Sequence, residues 1–203
     1  MPTKLAPRNT HETMVWERQQ RISGARYPGQ CLILQRSARG IPPLAPTAYS
    51  ASLMVPDSER VRAVTRLRQG MIGFSKGANP AGHIFLILGR RKGFELDDPD
   101  GVITESNDVV PGQLGRIGIV PLSFYHDVWG HHFQFGATWL NGYDFADFNK
   151  PPKAVHPKLG DNYRHAISDV KKALAMHKGK DKKLDAALER DIERMTRKLK
   201  KYS

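Results

Sequence analysis

The chain is short of cysteine, of long apolar runs and of acidic residues. Its 203 residues include a single cysteine, Cys31. One thiol excludes an internal disulfide framework and a cysteine-based zinc site. It also leaves one candidate wherever a reactive thiol is needed, the alternative being a small buried hydrophobe. No stretch of about 18 consecutive apolar residues occurs, so no transmembrane helix is expected. Met1 to Arg21 is polar and lacks the apolar core of about seven residues that a secretory signal needs. There is no internal repeat. Acidic residues number 20 against 32 lysines and arginines, leaving a net charge of +12.

That charge is unevenly placed. Residues 1–30 hold five basic and two acidic groups, net +3, and residues 31–150 hold 12 and 11, net +1. Residues 151–203 hold 15 and seven, net +8. The tail is therefore the part that responds to a polyanion such as nucleic acid, teichoic acid or a membrane surface. Hydrophobic residues make up 39% of the chain, enough for an ordinary core.

The order of elements predicts an α+β fold with helices first and strands later. Residues 1–26 read as a leader plus a short helix, Thr13 to Ser23. Tyr27-Pro28-Gly29-Gln30 is a break. Leu32, Ile33, Leu34 and Ala38 then suit a helix starting at or near Cys31 and ending at Gly40. Thr47 to Met54 is a second short helix. Met71–Ser75 and His83–Leu88 read as strands, the second apolar enough to be covered on both faces. Phe94–Leu96 and Val102–Glu105 are expected to pair across the turn Asp97–Gly101. Arg116–Leu122 is a further strand, and the aromatics between 123 and 145 are expected to finish the core and close a sheet edge. A proline-rich linker at 149–160 bounds the domain 27–148. Beyond it, Ile167, Val170 and Leu174, then Leu184, Leu188, Ile192, Met195 and Leu199, predict a basic helical hairpin over 161–203.

Three islands carry chemistry: Gly29-Gln30-Cys31, Gly82-His83-Ile84 and Glu105-Ser106-Asn107. A thiol must ionise to attack, and a helix N-terminus favours the thiolate. A nearby imidazole completes the activation as an ion pair and later protonates a leaving amine. That imidazole needs a partner on its other nitrogen. Glu105 or Asn107 is expected there, with Asp108 as a further possible orienter. The Cys31 backbone N–H and the Gln30 side chain are candidate oxyanion donors.

In these motifs the chain resembles the CHAP branch of the papain-like peptidoglycan hydrolases, the cysteine, histidine-dependent amidohydrolases and peptidases, and phage endolysins in particular. Gly29-Gln30-Cys31 matches the family's Gly-Gln-Cys, Gly82-His83-Ile84 its Gly-His-Val strand, and Glu105-x-Asn107 its Glu-x-Asn. The agreement spans residues 27–110. The chain departs from the family at Leu32 and Ile33, where Thr and an aromatic are usual, and at Met71, where Asp is usual. The resemblance implies a papain-like CHAP fold in which N-terminal helices pack on an antiparallel sheet. It implies Cys31, His83, Glu105 and Asn107 as catalytic residues, no metal or other cofactor, and an amide of bacterial peptidoglycan as substrate. It further implies accumulation in a host cytoplasm until lysis, or carriage in a virion. The basic hairpin is then expected to bind anionic wall polymers, with nucleic acid as the other candidate.

Two rivals stand beside this reading. His126, His131, His132 and His156 are a conceivable metal set, but His131 and His132 are adjacent and point to opposite sides of a strand. A non-enzymatic phage structural or nucleic-acid-binding protein would also use the basic tail, although Tyr163 and Tyr202 are isolated and no aromatic interleaving marks it.

Overall fold

The computed structural model describes residues 6–150 and 152–154, together with ten helical positions between Ile167 and Arg197. Helix α1 spans Thr10–Ser23, α2 Cys31–Arg39, α3 Ala48–Leu53 and α4 Phe124–Asp127. The strands are β1 Ile72–Lys76, β2 His83–Arg90, β3 Val102–Asn107, β4 Ile117–Pro121, β5 His132–Ala137, β6 Trp139–Leu140, β7 Tyr143–Asp144 and β8 Lys153–Ala154. Strands β1–β5 form one antiparallel sheet in the order β4-β3-β2-β1-β5. Strands β6, β7 and β8 form a smaller one. The fold is α+β.

Local chemistry sets the helix ends. Asn9 and Glu12 form a capping box, so α1 starts three residues before the expected Thr13 and shortens the leader. Thr47 and Ser50 cap α3 in the same way. Helix α2 ends at Gly40. Its first residue is Cys31, preceded by Gln30, whose side chain makes no capping bond.

The sheet is covered on both faces around β2, as its apolar run requires. Strand alternation sends Ile72, Phe74 and Ile84 to one face, where they pack with Cys31, Leu32, Ala48, Ala51 and Met54. Phe85 and Ile87 go to the other, with Leu122, Tyr125 and Met71. The rings of Phe85 and Tyr125 stack at 4.2 Å.

The long aromatic segment closes the sheet through β5, which pairs with β1, while Phe135 and Trp139 complete the core. Two expectations need correction. Phe94–Leu96 is not a strand: β3 pairs with β2 itself, from Leu86↔Glu105 to Arg90↔Val102. Strand β2 runs on past its apolar stretch through Gly89 to Arg90, so it supplies the partner positions for β3, and 91–98 turn the chain back ahead of a short 3-10 helix at Pro99–Gly101. The proline-rich linker also contributes a strand, because Lys153 and Ala154 pair with Asp144 and Tyr143.

Most of the expected hairpin over 161–203 lies outside the described residues. Within it, Ile167 is buried in the cluster that contains Cys31, and Ile192 packs against that cluster. Among the described residues no helix is long and apolar enough to cross a membrane.

Candidate active site

Cys31 opens α2 and His83 opens β2. Both line one cavity of about 370 Å³, whose wall also includes Gln30, Asn79, Asp108, Trp129 and His131. Cys31 is 9% exposed, a buried residue in the wall of this cavity. Gly82, next to His83, has φ +64° and lies so close to α3 that a Cβ there would stand 3.3 Å from the Tyr49 nitrogen. The Tyr49 N–H donates to Ala81 O at 2.7 Å. A glycine is needed for the chain to turn here against α3 and enter β2 with the imidazole at the cavity.

The sheet's alternation decides what faces His83. Glu105 and Asn107 point to the face that carries Ile84, and Ser106 between them points to the face that carries His83. Nε2 of His83 and Oγ of Ser106 accordingly share a hydrogen bond of 2.9 Å. Ser106 Oγ also lies 3.3 Å from Ile84 O as a donor. Glu105, Asn107 and Asp108 are thus corrected as orienters of the ring. Glu105 is buried and binds Nε of Arg21 at 2.6 Å. Asn107 Nδ2 donates to Tyr27 O at 2.5 Å. The Asp108 carboxylate accepts the Gly29 N–H at 2.8 Å. The island Glu105-Ser106-Asn107 marks the right strand end, but its middle residue meets the histidine.

The aromatic wall was legible only as core. Trp129 sets its ring edge-on to His83, with centroids 4.9 Å apart and planes at 82°. Tyr125 lies 5.4 Å from the same imidazole. His131 is buried at the cavity, 6.5 Å from His83, while His132 is exposed. The two adjacent histidines do point apart. Among the described residues no three histidine, cysteine or carboxylate side chains gather as a metal site. His156 lies outside the described residues.

Electrostatics correct the expected resting ion pair. Burial pushes the Cys31 thiol up to about 11, helped by the charge of Asp108 and opposed by backbone N–H groups of Ile84 and Leu32. Burial lowers the His83 imidazole to about 3, and His131 adds to that shift. Desolvation disfavours the charged form of each partner, so the free site holds a neutral thiol and a neutral imidazole. Ile84 follows His83 directly in β2, so its backbone N–H brings the start of that strand against the sulfur.

Comparison with protein-family models, with curated proteins and with solved structures finds no match for this chain.

Proposed function

We propose that this protein is a papain-like cysteine hydrolase that cleaves an amide bond of bacterial peptidoglycan, as a phage endolysin or a virion-borne lysin does. The observation that carries the reading is the shared cavity: the chain's single thiol and a neutral histidine, 52 positions apart in sequence, line the same opening. The motif resemblance supplies the substrate class.

The chemistry follows from the ring's partner. With Ser106 Oγ–H turned to Ile84 O, Nε2 of His83 carries the ring proton and Nδ1 the lone pair. Nδ1 takes the thiol proton as the sulfur's electron pair attacks the substrate carbonyl carbon. The carbonyl π electrons move to oxygen, where the Cys31 N–H and the Gln30 side chain are the candidate donors. Collapse of that intermediate breaks the C–N bond, and the imidazolium proton goes to the leaving amine. Water, deprotonated by the same imidazole, then hydrolyses the thioester and regenerates the thiol. Because burial favours the neutral pair, proton transfer accompanies attack rather than preceding it.

The test is mass spectrometry of purified cell wall after digestion. New amine and carboxyl ends are expected with the wild-type chain and none with Cys31→Ala. Equal products from Cys31→Ala would remove the mechanism. Wall left intact by the folded wild type would favour the second reading, a non-enzymatic phage protein whose +8 tail binds nucleic acid or wall polymers.

A further inference from the structure

Resting on the proposed nucleophile, the inference concerns what holds it in place. The turn Tyr27–Gln30, which delivers Cys31 to the cavity, has few internal bonds; Gln30 N–H donates to Tyr27 O at 3.1 Å, and the Gln30 side chain makes no cap. The Tyr27 hydroxyl donates to Gln20 Oε1 of α1 at 3.2 Å, and the other anchors come from two distant segments. The Asp108 carboxylate accepts the Gly29 N–H at 2.8 Å with one oxygen and the Gly115 N–H at 2.5 Å with the other. Asn107 Nδ2 donates both to that carboxylate and to Tyr27 O, each at 2.5 Å. The Tyr27 N–H donates to Gly115 O at 2.7 Å, which closes the ring of contacts.

The backbone is shaped for this arrangement. Asp108 adopts φ +63°, unusual for a residue with a side chain and costly unless the surroundings enforce it. Gly115 has φ +79° and passes so close to the turn that a Cβ would stand 2.6 Å from the Pro28 nitrogen. Asp108 also lines the cavity with Cys31, and its charge acts on the sulfur.

We propose that Asp108 is a positioning residue for the nucleophile: its carboxylate clasps the Tyr27–Gln30 turn to the end of β3 and to Gly115, fixing where the Cys31 sulfur and its neighbouring amides stand in the cavity. Asp108 thus does two things that oppose each other. It holds the thiol in register for attack, and its negative charge disfavours the thiolate.

The opposition makes the role separable from mere folding. Because Cys31 is the only cysteine, its alkylation by iodoacetamide reads one site in the full chain. In Asp108→Asn the charge is gone and one of the two acceptor oxygens becomes an NH2 donor, which opens half of the clasp, so the alkylation rate at a fixed pH of about 8 is expected to rise roughly 3- to 10-fold. Wall hydrolysis by the same variant is expected to fall about 10- to 100-fold, as misplacement of a reacting atom does. Asn107→Ala loosens the turn without removing charge, so hydrolysis falls while alkylation stays within about 2-fold of wild type. An alkylation rate in Asp108→Asn that is unchanged or lower overturns the proposal. So does full hydrolytic activity in both variants. Should Asp108→Asn fail to fold, hydrogen exchange on the wild type decides: slow exchange of the Gly29 and Gly115 amides supports the clasp, and fast exchange overturns it. Alkylation and exchange need no hydrolytic activity, so they test the clasp even where the wild-type chain cuts no wall.

Discussion

The two ends of helix α2 both hold buried titratable groups, and they differ in what surrounds them. At the N-terminal end Cys31 lines a cavity with His83, and Ser106 satisfies the imidazole. At the C-terminal end Gln35 and Arg39 are fully buried against Glu17 of α1. Burial drives Glu17 well above the ordinary carboxylate range, with the charge of Glu105 adding to the rise. Burial also lowers Arg39 to about 10, although Glu17 opposes the shift. Arg39 donates to Gly70 O at 2.8 Å and lies 4.3 Å from the Phe145 ring. None of Glu17, Gln35 and Arg39 lines the cavity. Perturbed titration marks both ends, so perturbation alone does not identify a site. Access for a substrate separates them.

The widest expected gap lies between two substitutions. His83→Gln should lower wall hydrolysis about 100- to 10,000-fold, the usual weight of general acid–base catalysis, while leaving the melting temperature near wild type. Arg39→Ala should do the reverse. It removes a fully buried side chain that bonds Gly70 O and lies over the Phe145 ring, and leaves a cavity facing buried Glu17, at a cost of about 3–5 kcal/mol of stability in denaturant melts, with hydrolysis kept wherever the variant stays folded. If Arg39→Ala also abolishes hydrolysis in a stable, folded sample, the division of α2 into a chemical end and a structural end fails.

A smaller effect is expected at Ser106. Ser106→Ala should reduce kcat about 10-fold with KM little changed, the weight of one neutral hydrogen bond of roughly 1.4 kcal/mol. An equal loss in Glu105→Gln would return the orienting role to Glu105. The pH dependence of stability sharpens the same contrast. The His83 imidazole titrates at about 3 when folded, below its ordinary 6.5, so the unfolded chain binds its proton first as pH falls. Its contribution to stability is present above 6.5 and lost as pH drops toward about 3. His83→Gln should therefore show a shallower fall in melting temperature between pH 6.5 and about 4 than the wild type does. The smallest effect belongs to the tail. Replacing Lys182, Lys183, Lys198, Lys200 and Lys201 by Gln should weaken wall binding a few-fold at low salt and hardly at all at high salt, where such charges are screened. Turnover of a soluble muropeptide should not change.

Several elements were legible without coordinates because each depends on near neighbours. Helix α2 follows from apolar spacing after Cys31 and a glycine stop at Gly40. The central place of β2 follows from its unbroken apolar run. Helix α1 begins three residues before the expected Thr13 because the Asn9–Glu12 capping box, a short-range signal present in the sequence, sets its first turn. The pairing of β3 was not readable in that way. Phe94–Leu96 sits opposite a strong turn signal, yet β2 outcompetes it with a longer, better-buried edge.

The identities and order of the reactive groups are properties of the sequence by itself: one thiol opening a helix, one histidine opening a strand, and a polar island at a later strand end. Composition likewise determined that the tail carries the excess charge. Only tertiary structure decided which member of the island serves the histidine, because a side chain's face depends on the register between β2 and β3 and changes at every residue. It alone decided that thiol and imidazole rest uncharged, since desolvation is set by what the rest of the chain packs around them.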